Sequence, residues 1–300
     1  MKPYAPHAKF IAPALGSADF GRLIIGFALI ESAYYVSRHA FALVLLLIGE
    51  TLGPSDLEPS YEYGDTALGL LLQLFSYGFL ALAVVAVVWV QHSRSGWTLL
   101  GESKGYLRTL LLAAGACFAV FAALEFLPPF YSYEGGEFQL GRFALLPLSL
   151  LAILVQTGAE EIMYRGYLQQ QFAARFASPV TWMIAPNLLF AFAHLDLSND
   201  AILSLQYVAW TFVFGLACSD LTARTGSLAA AMGFHFANNA YVFLFWAEEY
   251  TPDSGLALLL FPEWNGVTNP EAIPLIDLIF LSDLALPVVL WLAVRLAIRR

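Results

Sequence analysis

Charge is what this 300-residue sequence has least of. Lys and Arg together number 14, Asp and Glu 23, and the charged share is 12% beside 59% hydrophobic. A soluble domain carries about 25% charged residues, so a water-soluble fold of this length is excluded by the apolar surface it would have to hide. Cysteine is scarce too. Cys117 and Cys218 both lie in apolar runs and form no Cys-x-x-Cys pair, which leaves neither a disulfide framework nor a thiolate metal motif. They are expected to be small packing residues. The His-Glu-x-x-His signature of zinc peptidases is missing, and so are internal repeats and low-complexity tracts. Met1 to Phe20 holds no compact hydrophobic segment ending in a small-residue cleavage site, so the first span is expected to act as its own insertion signal.

What the sequence does have is hydrophobic runs. Mean hydropathy is +0.69, and a span needs about 20 apolar residues to cross about 30 Å of hydrocarbon. Eight segments qualify, over 23–49, 67–90, 107–127, 143–165, 180–196, 201–223, 227–247 and 273–296. The expected fold is all-α: a polytopic membrane helical bundle of about eight transmembrane helices, forming a single integral membrane domain over 1–300. The intervals hold helix breakers such as Gly53-Pro54-Ser55, Pro128-Pro129 and Gly135-Gly136. Trp97 is expected at headgroup level on a short interfacial piece.

The connections alternate in charge. Lys2, Lys9 and Arg22 precede the first span, and Glu50, Asp56, Glu58, Glu62 and Asp65 follow it. Arg94, Lys104 and Arg108 come next, then Glu134 and Glu137 with one Arg142. Arg165 and Arg175 follow the fourth span, Asp196 and Asp200 the fifth, and Arg224 the sixth. Glu248, Glu249, Asp253, Glu263 and Glu271 crowd the acidic 248–272 loop, and the chain ends on Arg295, Arg299 and Arg300. Basic loops stay in the cytoplasm, so both the N- and C-termini are expected there. The acidic, Ala- and Leu-rich chain without organelle signals points to a bacterial inner membrane. Within the first span, Glu31 and Arg38 share a helix face and are read with His39 as a polar pair turned into the bundle, or as an interfacial helix followed by a shorter span.

An ionisable residue inside the hydrocarbon is a functional hypothesis by default, and three segments carry such residues. The first is Gly158-Ala159-Glu160-Glu161-Ile162-Met163-Tyr164-Arg165. Adjacent helix residues point about 100° apart, so the two glutamates cannot do one job. Glu161 and Arg165, four apart in the favourable order, are expected to pair; Glu160 then faces elsewhere, inward, as a candidate general base. The second segment places Phe190 and His194 on one face. The third places His235 and Asn239 on one face, where both can donate towards a point at which negative charge develops on an oxygen; Asn238 points off that face. Each segment has a bland reading as a charged helix end or as helix–helix hydrogen bonding. Together, on three separate spans, they describe an inward cluster able to activate water and stabilise an oxyanion, as peptide-bond hydrolysis requires. A Zn2+ site built from Glu160, His194 and His235 also matches the residue types.

The ordered set Glu160-Glu161-x-x-x-Arg165, Phe190-x-x-x-His194 and His235-x-x-x-Asn239 resembles the CAAX prenyl protease and bacteriocin-processing (CPBP, or Abi) family of intramembrane proteases. The resemblance covers about residues 100–250, taken as the protease core. It implies an eight-helix bundle with Glu160 as general base and His194 binding and polarising the attacking water. It implies His235 and Asn239 as the oxyanion hole, with Glu161, Arg165 and Phe190 in support. It implies either a metal-free glutamate mechanism or a metallo-endopeptidase using the same residues. Its eukaryotic members cut the C-terminal tripeptide from prenylated CAAX proteins, and bacterial members look like processing or immunity proteins for secreted peptides. The expected partners are therefore the lipid bilayer and a peptide or protein substrate, prenylated or small and secreted, and no nucleic acid. The rival readings are a non-catalytic membrane scaffold or peptide-binding immunity protein, and a proton-coupled transporter.

Glu160 and His194 meet only under a condition. Counted from the basic side, His194 lies about 14 residues, or ~21 Å, into its span, whereas Glu160 is near the basic end of its own. The fourth helix must then continue past Arg165 through the helix-permissive run Gly166 to Phe172, or the fifth must start above the membrane. A water-accessible cavity on the cytoplasmic side is expected.

Overall fold

The computed structural model describes residues 4–53, 56–127, 135–196, 200–262 and 274–300. Lys2, Pro54, Ser55, Pro128, Pro129, Glu134, Glu263 and Glu271 of the expected connections lie outside these. Twelve helices order the described chain: α1 (Ala5–Ile11), α2 (Phe20–Leu52), α3 (Leu57–Tyr63), α4 (Ala67–Ser76), α5 (Gly78–His92), α6 (Tyr106–Glu125), α7 (Leu146–Glu161), α8 (Gln170–Arg175), α9 (Pro179–Phe192), α10 (Ala201–Thr225), α11 (Ala229–Leu244) and α12 (Leu278–Ile298). The fold is all-α and the protein is an integral membrane protein. Six helical stretches are long and apolar enough to cross a membrane. The helices at the fifth and seventh expected positions are shorter, 14 residues for α9 and 16 for α11.

The lipid-facing surface is apolar. Ile24, Leu29, Val36 and Leu43 on α2 and Leu278 and Ile279 on α12 are exposed, a pattern that suits hydrocarbon as the solvent. In lipid no hydrophobic drive brings helices together, so close packing of small residues does. The α6–α11 contact shows it. Ala230, Ala231, Gly233 and Ala237 of α11 meet Ala113, Ala114 and Cys117 of α6, all buried. Gly233 is the point of closest approach, since a Cβ there would stand 2.2 Å from the Leu110 carbonyl oxygen. Gly233→Ala is therefore expected to push α6 and α11 apart and lower the thermal unfolding midpoint in detergent; an unchanged midpoint would mean the pair is not tightly packed.

The fourth segment continues past Arg165, one of the two ways in which Glu160 and His194 could meet. Residues Leu140–Arg175 run helically for 36 residues, with Ile162–Gln169 in π-helical form between α7 and α8. A π turn accommodates an extra residue and commonly marks a functional region. Glu160 is thus not at a helix end. It lies about 20 Å along from Leu146 at 1.5 Å per residue, with a similar length beyond it.

The two ends of the bundle differ. At one end α1 packs on α8 and α10, with the Tyr4 hydroxyl donating to Asp220 at 2.8 Å and the Gln170 amide donating to the Phe10 and Thr98 carbonyls at 3.0 and 2.8 Å. Gly226, at φ +70, ends α10 there, and its carbonyl accepts from Glu102. The short turn Gly96–Leu99 holds Trp97 exposed at this end. At the other end α3 and the segment after α11 interlock: the amides of Asp253 and Gly255 donate to the Tyr63 and Gly64 carbonyls. A small sheet in the order β1 (Glu137–Phe138), β3 (Leu259–Phe261), β2 (Trp246–Glu248) completes this cap. The helical pattern had given no sign of it.

The first span is corrected. α2 is one helix of 33 residues with Asp19 as its N-cap, not an interfacial helix followed by a shorter span. Arg38 pairs with Glu62 of α3 at 3.1 Å rather than with Glu31, and His39 Nδ1 lies 2.8 Å from the Tyr35 carbonyl.

Candidate active site

The end of α7, the π segment and α9, α10 and α11 assemble a buried charged cluster. Glu160, Glu161, Arg165 and His235 are 5%, 0%, 0% and 3% exposed. Arg165 Nη1 donates to Glu161 Oε1 at 2.8 Å, as the i, i+4 spacing predicts. The rest of its fork was not foreseen: Nη2 donates to Asn187 Oδ1 at 3.1 Å and to the Gly215 carbonyl at 3.2 Å. The guanidinium also stands 4.5 Å from the Phe190 ring centroid. Gly215 makes this possible, since a Cβ there would fall 2.5 Å from Asn187 Oδ1. Asn187 is fixed in turn by donating to Ser219 Oγ at 2.8 Å and the Met183 carbonyl at 2.6 Å.

His235 lies between the two carboxylates. Its Nδ1 is 2.8 Å from Glu161 Oε1, and its Nε2 is 3.4 Å from Glu160 Oε2. A carboxylate bound to Arg165 can only accept, so Nδ1 carries the proton there. Glu160 Oε2 is buried and, among the described residues, has no hydrogen-bond partner. An oxygen left so is costly unless something else meets it.

Glu160 lines a cavity of about 600 Å³ together with His194, His235, Asn238, Asn239, Gln156, Tyr77, Tyr207 and Trp210. The size suits a small ligand or a peptide segment. The structure thus brings together all four residues expected to be catalytic. His194 follows the last turn of α9, and its Nδ1 meets the Phe190 carbonyl at 2.8 Å. A carbonyl only accepts, so Nδ1 holds the proton and Nε2 keeps a lone pair for a water. Phe190 lies edge-on to His194 and His235, at 4.8 and 6.2 Å between centroids, and so spaces the two imidazoles. Asn239 donates from Nδ2 to Gln156 Oε1 at 2.9 Å and accepts from Asn238 Nδ2 at 3.1 Å. One amide proton of Asn239 remains to be donated. Asn238, which the helical spacing places off the site face, thus orients Asn239. Gln156, Asn187 and Tyr207 were missed, although a polar side chain inside a span is itself a signal.

The side on which the cavity opens is a correction. The basic loops mark the end where it was expected, but Leu203, Tyr207, Pro252, Asp253 and Asp283 at its mouth belong to the acidic end. The cause is the extended fourth helix. Glu160 lies mid-bundle, level with the end of α9, and α8 with α1 fill the space on the basic side. Asp253 lies in the loop at the mouth, where burial pushes its carboxyl up to about 6.

As placed, the donors do not fit a zinc ion. Among the described residues no three of His, Cys, Asp and Glu converge as a metal-holding group. His235 Nδ1 is taken by Glu161, and Glu160 Oε2 faces the remaining nitrogen.

Comparison with known proteins agrees with the motifs. Residues 142–241 match the family model described as type II CAAX prenyl endopeptidase Rce1-like. That stretch includes Glu160, Glu161, Arg165, Phe190, His194, His235 and Asn239. A Bacillus subtilis (strain 168) protein, the uncharacterized protein YyaK, is 27% identical over 268 residues, covering 84% of this chain and 86% of its own length. No solved structure matches.

Proposed function

We propose that this membrane protein, whose central segment is CAAX-protease-like, is an intramembrane endopeptidase in which Glu160 is the general base. The observation that carries the proposal is the buried carboxylate of Glu160 on the wall of a cavity that His194, His235 and Asn239 also line.

The chemistry follows from these groups. A water in the cavity donates one proton to Glu160 and another to His194 Nε2. Glu160 takes up the first as the water oxygen attacks the peptide carbonyl carbon. Negative charge then develops on the carbonyl oxygen, and Asn239, through its free amide proton, and His235 are the residues that stabilise it. Collapse of the tetrahedral intermediate breaks the C–N bond, and the proton held by Glu160 passes to the leaving amine. Arg165 and Glu161 touch no substrate. They hold the His235 ring and keep its Nδ1 proton in place, as Asn238 and Gln156 hold Asn239. Substrates are a membrane-associated protein or peptide, lipidated or small and exported, handled at a bacterial inner membrane with both termini in the cytoplasm.

Asn239→Ala is expected to lower kcat by about 10²–10³ with little change in KM, since an oxyanion donor acts chiefly in the transition state. Steady-state cleavage of a quenched fluorescent peptide by purified protein checks this; a rise in KM with kcat intact would move Asn239 from catalysis to binding.

A further inference from the structure

We propose that the cavity takes its substrate from the non-cytoplasmic side of the membrane, and that this substrate is an exported peptide segment of net positive charge. The chemistry rests on the peptidase reading above. The side rests on the distribution of Lys and Arg about the fold and would stand without it.

The bundle sorts its charges between its two ends. Lys9, Arg94, Lys104, Arg175, Arg224 and Arg295 are all at the end where α1 packs against α8 and α10 and the Gly226 turn closes on Glu102. At the opposite end Glu62, Glu137, Glu248, Glu249 and Asp253 gather on α3, the small sheet and the loops between them. Arg38 and Arg142, the two described arginines there, are both engaged. Arg38 pairs with Glu62, and Arg142 donates to the Ser254 and Ala257 carbonyls at 2.9 and 2.7 Å. Excess Lys and Arg in short connections near span ends keeps that end cytoplasmic. The acidic end is then the outer one.

The cavity opens at that outer end. Its exposed lining residues are Leu203 and Tyr207 in the first turns of α10, Val242 in the last turn of α11, Pro252, and Asp283 in the first turns of α12. Towards the basic end the way is closed: Met163, Arg165, Leu168 and Gln169 are 0–1% exposed, as are Cys218 and Phe234 beside them. Among the described residues, then, the open approach to Glu160 includes the acidic rim, and the basic side offers none. Asp253 and Asp283 line that rim, with Glu248 and Glu249 on the adjoining strand and turn. Such a mouth concentrates cationic chains and repels anionic ones. Farther in, Trp210, Phe214 and Phe243 supply an aromatic wall for an apolar residue next to the cleaved bond.

The test uses the full-length chain in cells. The native thiols Cys117 and Cys218 are buried, so a single introduced cysteine reports its own position. Pro252→Cys and Asp283→Cys mark the rim, and Lys104→Cys marks the opposite end. Labelling of both rim variants by a membrane-impermeant maleimide on intact cells, with Lys104→Cys labelled only after lysis, is expected. The reverse pattern would overturn the proposal. Membrane vesicles then test the substrate, with quenched fluorescent peptides of net positive or net negative charge. Right-side-out vesicles should cleave the cationic peptide and inverted vesicles should not until detergent is added. Cleavage by inverted vesicles alone, or preference for the anionic peptide, contradicts the inference. Absence of any cleavage in detergent, with the expected labelling, would instead sink the peptidase reading and leave the sidedness standing.

Discussion

Glu160→Gln should abolish proteolysis while leaving the bundle intact. The amide keeps the shape of the side chain and loses only its ability to accept a proton, so kcat is expected to fall by about 10²–10⁴, the usual contribution of a general base. Stability should not fall. Glu160 Oε2 makes no hydrogen bond among the described residues, and replacing a buried carboxylate by an amide removes an unmet desolvation cost. Purified Glu160→Gln should therefore unfold at the wild-type temperature or above while failing to cleave. Equal turnover by the two proteins would remove Glu160 from the chemistry. A matching loss of activity and stability would make it structural.

The second large effect belongs to Arg165. Its guanidinium is wholly buried and answers Glu161, Asn187, the Gly215 carbonyl and the Phe190 face at once. Arg165→Met leaves Glu161 as a buried charge with only His235 against it, which costs about 3–5 kcal/mol when one partner of a buried pair is removed. The expected outcome is a strongly lowered unfolding midpoint and poor yield. Arg165→Met with Glu161→Gln should recover much of that stability, because both charges are then gone, yet cleave more slowly than wild type, because a neutral amide holds the His235 Nδ1 proton more weakly than the carboxylate does. Thermal unfolding of the three proteins, run beside the cleavage assay, separates these effects. A double variant as unstable as the single one would show that the hydrogen bonds to Asn187 and Gly215 outweigh the ion pair.

The pattern of success in reading the sequence has physical causes. Local periodicity fixes what lies on one helix, so the Glu161–Arg165 pair, the shared faces of Phe190 with His194 and of His235 with Asn239, and the divergence of Glu160 from Glu161 were all legible. The hydrophobic runs gave the helices, and the distance between Glu160 and His194 along their spans required a longer fourth helix, which Arg175 ends. Relations between helices were not legible. Nothing in the spacing of Asn187 or Gly215 says that they meet the Arg165 fork, because that contact depends on how α9 and α10 cross α7. His235 was read as an oxyanion donor paired with Asn239; its bridging of Glu160 and Glu161 follows from the rotation of α11. The cavity was placed at the wrong end because the space beside the continued fourth helix was taken to be open, whereas α1 and α8 fill it. The sheet joining Glu137, Trp246 and Leu259 has strands of two or three residues, too short to leave a periodic signal.

Single-turnover cleavage in heavy-oxygen water, read by mass spectrometry of both peptide products and enzyme, addresses the catalytic proposal most directly. With Glu160 as general base, one solvent oxygen enters the new C-terminal carboxylate of the product and the peptide containing Glu160 stays unlabelled. Solvent oxygen appearing in the Glu160 carboxylate would mean that it attacks the substrate itself, and would contradict water activation at that residue.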